Sequence, residues 1–341
     1  MLKTYKMKKN DIISILALNS VKGIGAAAIS KLKQSGLFKN QDPYEAINDG
    51  LEILKKQQND STINSLIEDA IEIINKSLSD EIKLIPITDT NYPKKITQIK
   101  NPPPVLFYKG NLDRMDKVVG IIGTRNPNET GKIIAGRLGK YFSDNGFSIA
   151  NGLALGIDSE AIQLNGNYRF NTIGIMAGGL NYNQARTILK TTALEAEKVL
   201  ENGGLLLSEY PSGIKEDTFT VVKSCRIQAA VSDGLILIQS KLNGGSKFTI
   251  ESFAELPRPF AVIKPIEREK DLQEYEANME IIENKEFGIA KMTGIKSDKI
   301  RISKIEVIAE KIEYDGFASL IENSIKKSSA EVAGDLFSKF E

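Results

Sequence analysis

One stretch, Val118-Val119-Gly120-Ile121-Ile122-Gly123-Thr124-Arg125, restricts the fold more than any other part of the chain. An unbroken apolar run that stops at a glycine turn reads as a buried parallel strand, since a strand covered on both faces has no polar side to display. A turn through Asn126-Pro127-Asn128 leads into Ile133, Ile134, Arg137, Leu138, Tyr141 and Phe142, spaced three or four apart as on one face of a helix. Asn128 is the expected N-cap, its side-chain oxygen accepting an early helical N–H.

The same grammar recurs. Phe147-Ser148-Ile149-Ala150 runs into Asn151-Gly152-Leu153-Ala154-Leu155-Gly156-Ile157-Asp158, and Thr172-Ile173-Gly174-Ile175-Met176 runs into Ala177-Gly178-Gly179-Leu180. With further apolar runs at 204–208, 234–239 and 259–264, strands and helices alternate from 118 to 265, which predicts an α/β domain with a parallel or mostly parallel sheet. In such a sheet ligands bind beyond the carboxyl ends of the strands, so the glycine loops are expected to build one site.

Around this core, residues 1–80 are expected to be a helical module. Ile12, Ile13, Ile15, Leu16 and Leu18 precede the turn Asn19-Ser20-Val21-Lys22-Gly23-Ile24-Gly25, and Ala26 to Leu32 resumes the helix within the 10–40 region. This outline fits a helix-hairpin-helix that offers amides to a phosphate, or an ordinary turn in a small bundle. Ile63, Leu66, Ile67, Ala70, Ile71 and Ile74 give the next helix its buried face. Residues 81–117 form a connector stiffened by Pro102-Pro103-Pro104, and residues 266–341 a solvated Glu/Lys-rich linker followed by a small helical module in which Ile302, Ile305, Val307, Ile308 and Ile312 repeat.

Composition narrows the chemistry. The 341 residues contain no histidine and one cysteine, Cys225. A Ser-His-Asp triad, a Cys-His pair, an intramolecular disulfide and a cysteine-clustered zinc site are therefore excluded. The net charge of +1 gives little long-range attraction for nucleic acid, so any such binding needs a local cationic surface. The amino-terminal stretch lacks the apolar core of a secretory signal, and no apolar run is long enough to span a bilayer, so a cytoplasmic location without membrane contact is expected.

The expected phosphate-binding set is Gly123, Thr124, Arg125, Gly152, Gly156, Gly178, Gly179, Arg226, Ser246, Lys247 and Thr249. Glycines admit a phosphate where a side chain would obstruct it or forbid the backbone angle, small hydroxyls bind it, and arginine forks it with charge-assisted hydrogen bonds. The competing account of the glycines is tight turns between strands and helices. Asp158 is expected to position the loop, accepting its amides or holding Arg125. No metal and no cofactor is expected.

At this point the sequence resembles the DNA-processing protein A family (DprA, also called Smf). The resemblance covers roughly residues 10–265. It rests on Ala17-Leu18 through Gly23-Ile24-Gly25, on Tyr92-Pro93, on Pro102-Pro103-Pro104-Val105-Leu106-Phe107-Tyr108-Lys109-Gly110, and on the ordered loops Gly120 to Arg125, Asn151 to Ala161, Ala177 to Asn181 and Leu207 to Pro211. It implies an extended Rossmann-like domain that binds single-stranded DNA, has no enzymatic activity, forms a homodimer and assists loading of the recombinase RecA during natural transformation. The chain departs from the family at Ile162, where histidine is usual, and at Phe219 to Arg226, where a Phe-Pro-x-Arg-Asn-Arg stretch is expected and Arg226 remains, with Lys223 a possible substitute cation.

Two other readings stay open. Gly244-Gly245-Ser246-Lys247-Phe248-Thr249-Ile250-Glu251 is similar to a distorted form of the loop of LOG-type nucleotide phosphoribohydrolases, with Glu251 as acid/base and Arg226 as phosphate binder. The same crevice also suits a sensor of a small nucleotide-derived ligand.

Overall fold

The computed structural model describes residues 2–38, 42–164, 166–168 and 171–337. The chain opens with helices α1 (Leu2–Ser20), α2 (Ala26–Gln34), α3 (Pro43–Ile53) and α4 (Asp60–Ser79), followed by strands β1 (Lys83–Pro86) and β2 (Val105–Gly110). Alternation then begins with β3 (Val118–Ile122), α5 (Glu129–Asp144), β4 (Ser148–Asn151) and α6 (Ile157–Ala161). It continues through the short strands β5 (Gln163–Leu164) and β6 (Asn167–Tyr168), then β7 (Thr172–Met176), α7 (Tyr182–Ala185), α8 (Lys190–Glu201) and β8 (Leu205–Ser208). After these come α9 (Thr218–Val231), β9 (Gly234–Leu237), α10 (Ser246–Ala254), β10 (Pro259–Ile263), α11 (Glu276–Asn284), α12 (Glu286–Thr293), β11 (Lys304–Ile308) and α13 (Glu313–Phe337). The architecture is mixed α/β, and no helix among the described residues is long and apolar enough to cross a membrane.

The chain divides into two compact units. The first comprises residues 1–109, 176–189 and 206–224. In it Ile15, Leu18, Ile47 and Ile63 bring α1, α3 and α4 together, each of these side chains 2% exposed or less. Asp42 and Asn59 cap α3 and α4, accepting the amides of Tyr44 and Thr62, which satisfies helix-start donors that would otherwise be orphaned. The turn between α1 and α2 passes through Gly23 at φ +84°. β1 pairs antiparallel with β2. The Tyr92 hydroxyl donates to the Pro103 carbonyl at 2.7 Å, which pins the proline-rich segment in place.

The second unit comprises residues 110–175, 190–205 and 225–341. Its strands run in the order β7-β4-β3-β9-β10-β11, every neighbouring pair parallel. At the centre Val118, Val119, Ile121 and Ile122 are 3% exposed or less, each worth roughly 1.5–3 kcal/mol of burial as an upper bound. Helix α5 lies directly on α6: a Cβ on Gly139 would stand 1.7 Å from the Ala161 carbonyl oxygen. Below it Phe142 meets Phe147 edge to face at 5.1 Å and Phe317 of α13 at 6.4 Å, adding aromatic contact to plain area burial.

Three local expectations are corrected. The stretch Ile302 to Ile312 does not open a helix; Lys304–Ile308 forms β11, in register with Pro259–Ile263. The segment to Glu286 is not a solvated linker throughout. Its α11 buries Ala277, Asn278 and Ile281, and the Asn278 amide donates to the carbonyls of Ile238 and Ile263 at the ends of two strands. On α5 the buried face is Ala135, Leu138, Gly139 and Phe142, while Ile133 is 49% exposed.

Candidate functional site

In the second unit the parallel strands deliver the loops after β3, β4, β9 and β10 to one sheet edge. The loop after β3 is tied down on both sides. Thr124 donates its amide to the Gln239 carbonyl at 2.8 Å and accepts the Ile157 amide at 3.1 Å. Its hydroxyl accepts the Asn126 amide at 3.2 Å. Arg125, between these anchors, is exposed. The result is an exposed arginine on a fixed backbone.

Gly123 and Gly156 owe their place to close approach within the protein. A Cβ on Gly123 would meet Ile157 Cγ1 at 2.5 Å, and one on Gly156 the Thr124 carbonyl oxygen at 2.5 Å. Gly156 also has φ +92°, a backbone state that side chains resist. These glycines let the loops after β3 and β4 interlock, so the atoms crowding them are the chain's own.

Asp158 organises the loop after β4. Its Oδ2 accepts the amides of Gly152 at 3.0 Å and Ala154 at 3.4 Å, and its backbone carbonyl accepts the Asn151 side-chain amide at 2.9 Å. Burial pushes its carboxyl pKa up to about 7, against the opposing pull of those amides and of the Arg125 charge. Leu153, inside this loop, is buried with φ +53°, a costly state for a branched side chain. The Asn151 side chain accepts its amide at 3.0 Å and holds it there.

The later residues separate. Thr249, an expected phosphate contact, is 3% exposed, and its hydroxyl donates to Gln228 at 3.2 Å. Ser246 is also buried, at the first position of α10. Lys247 lies beside it with its ammonium 5.2 Å from the Phe248 ring centre. Arg226 is half-buried on α9, and Glu251 is exposed on α10. Burial pushes the Cys225 thiol up, with a Thr249 hydrogen bond pulling the other way, which disfavours the thiolate.

Gly178 and Gly179 fall in the first unit. There a Cβ on either would stand 2.4 Å from a backbone oxygen, of Thr187 and of Pro211 respectively. The Ser208 hydroxyl donates to the Gly178 carbonyl at 2.9 Å, and the Asn181 side chain accepts the Gly213 amide at 2.8 Å. Lys223, the possible substitute cation, pairs with Glu209 at 3.0 Å, so its charge is neutralised locally.

Two residues of this region carried no expectation. Gln239 follows β9 and braces the start of α5, accepting the Asn128 amide at 3.3 Å and donating to Asn128 Oδ1 at 2.8 Å. Its side chain lies so close that a Cβ on Gly131 would stand 2.1 Å from its Oε1. A polar residue ending an apolar run was the available signal. Glu269 accepts Asn128 Nδ2 at 3.1 Å and the Thr130 hydroxyl at 2.7 Å. Nothing local in the sequence distinguishes it from the charged residues around it. Asn128 itself accepts the Gly131 amide at 2.8 Å as N-cap of α5.

Comparison with known proteins agrees with this architecture. Residues 83–295 match the family model described as DNA recombination-mediator protein A. The chain is similar to the DNA processing protein DprA of Bacillus subtilis, 35% identical over 184 residues that cover 53% of this chain and 60% of that relative. It therefore spans less than two thirds of that relative's length. Among solved structures, DprA of Streptococcus pneumoniae has the same fold with a TM-score of 0.61 at 24% identity, covering 83% of this chain and 92% of that one. DNA processing protein A of Helicobacter pylori, described for its single-stranded DNA binding mode, gives a TM-score of 0.52 at 25% identity, covering 60% and 87%.

Proposed function

The chain belongs to the DNA recombination-mediator protein A family, and from that premise we propose that it binds single-stranded DNA, without enzymatic chemistry, at the loop edge of its parallel sheet. The observation that carries the reading is Arg125, an exposed arginine on a loop whose neighbour Thr124 is tied to Gln239 and Ile157. A cation on a rigid backbone loses little freedom when it grips a phosphate, and each charge-assisted contact is worth about 1.5–3 kcal/mol. The Helicobacter pylori relative described for its single-stranded DNA binding mode supports this ligand class.

The proposed contact set is Arg125, Arg226 and Lys247. We read residues 118–265 as a Rossmann-like domain, with 1–80, 81–117 and 266–341 as its helical module, connector and extension. The family resemblance supports a cytoplasmic homodimer that assists RecA loading during DNA uptake.

The test is titration of a fluorescent oligo-dT strand with the wild-type chain, Arg125→Ala and Arg226→Ala at fixed ionic strength, then across a salt series. Each substitution is expected to weaken binding about tenfold or more. Unchanged affinity together with an unchanged salt dependence rejects the reading.

A further inference from the structure

The segment between β10 and α11 crosses the sheet edge as a strap. It leaves β10 through the buried Pro265 and is fixed again at Tyr275, which is fully buried, with the Ala277 amide donating to the Ser240 carbonyl at 2.9 Å. Between these anchors most of its side chains face solvent. Glu267, Arg268, Lys270 and Asp271 are exposed, and so are the apolar Ile266 and Leu272, at 43% and 41%. Its regular structure is limited to two 3-10 turns, Glu267–Glu269 and Gln273–Tyr275.

One side chain of the strap reaches inward. Glu269 places its two carboxylate oxygens on the Asn128 side-chain amide and the Thr130 hydroxyl, donors 141 and 139 residues away in sequence. Both donors belong to the first turn of α5, the end of a helix that favours negative charge. Arg125 stands three residues before Asn128 on the same tied loop.

We propose that Glu269 is an internal anion that occupies the start of α5 as a latch, so that a nucleic-acid phosphate must displace it, and the strap with it, to settle beside Arg125. This inference rests on the single-stranded DNA reading above. In the latched state the carboxylate consumes the two side-chain donors and repels an incoming phosphate; when the strap lifts, both donors are released to the ligand. The exposed Ile266 and Leu272 keep the energetic cost of lifting small, because the strap forfeits little apolar burial when it moves.

The test compares oligo-dT affinity of the full chain with Glu269→Gln, Thr130→Val, Glu267→Gln and Arg125→Ala, each checked for an unchanged melting transition. Glu269→Gln keeps the volume and removes the charge; Thr130→Val removes a donor to the latch without changing any charge. Glu269→Gln is expected to bind about three- to tenfold more tightly than wild type, whereas Thr130→Val, which takes the same donor from latch and ligand alike, is expected to stay within about twofold of it. Glu267→Gln removes the same charge two residues away, from a side chain paired with Lys270, and is expected to leave affinity unchanged. Amide hydrogen exchange across 266–272 is expected to quicken when DNA is bound. If Glu269→Gln binds as wild type while Arg125→Ala weakens binding, or if Glu267→Gln tightens it as much as Glu269→Gln, the latch is wrong and the DNA reading stands. If none of the chains binds the strand, the DNA reading itself has failed and the latch with it.

Discussion

The Asp158 carboxylate accepts the Gly152 amide at 3.0 Å, closing the loop after β4 around a buried acid. Two amides and the Arg125 charge favour its ionised form, yet burial outweighs them and raises its pKa from 3.8 to about 7. An acid whose pKa is higher folded than unfolded makes the native state bind more protons between those two values. Its contribution to stability is thus fully present below about pH 4 and lost as pH rises through about 7. Asp158→Asn keeps an acceptor for both amides and removes the titration. Melting curves of the two chains from pH 4 to 8 are expected to converge on the acid side and to diverge in favour of Asp158→Asn as pH rises, by at most about 4 kcal/mol. A constant difference across that range would show that Asp158 does not titrate there.

Arg125 separates charge from geometry. Arg125→Ala is expected to make the slope of log affinity against log salt shallower by about 0.7, the contribution of one neutralised phosphate on a single strand. Arg125→Lys keeps the charge but loses the planar fork, so the slope is expected to persist while affinity falls. Arg125→Lys binding as tightly as wild type in a fluorescence titration would remove the forked contact.

Gly156 offers a test of interlocking against simple turn geometry. Gly146 also has a positive φ, +78°, but a Cβ there meets nothing within 4 Å. Gly146→Ala is expected to cost about 1–2 kcal/mol from the backbone alone. Gly156→Ala adds collision with the backbone of Thr124 and Arg125 and is expected to cost about 2–4 kcal/mol. Urea unfolding of both variants measures the difference, and equal losses would mean that the loops yield freely.

Asn128 caps α5 and links it to Gln239. Asn128→Ala is expected to destabilise the chain by about 1–2 kcal/mol, at the upper end of cap removals because a buried partner is stranded. Asn128→Ser restores the capping oxygen and is expected to recover about half of that loss in the same thermal melt.

How much of this was readable beforehand follows from the range of the forces involved. Strands β3, β4, β7, β9 and β10 announce themselves as apolar runs because a strand buried on both faces leaves no choice of residue. Arg125, Asn128 and Asp158 stand out because turns and caps are local chemistry. Glu269 does not, since its partners lie about 140 residues away and a glutamate among other charged residues carries no periodic mark. β11 was ambiguous on its face: Ile305, Ile308 and Ile312 fit a helix, whereas Ile305 and Val307 fit a strand, and the edge of β10 decided the matter. The glycines were visible as positions intolerant of side chains, but sequence does not say what crowds them. At Gly123 and Gly156 it is the neighbouring loop.

The pairing of β11 with β10 has a practical corollary for anyone working with excised pieces. Family likeness stops at residue 295, whereas the sixth parallel strand of the second unit is drawn from 304–308. Trimming the polypeptide where the likeness ends would strip β10 of its outer neighbour. The freed peptide groups of Phe260 and Val262 would then seek another chain, making such a fragment prone to self-association.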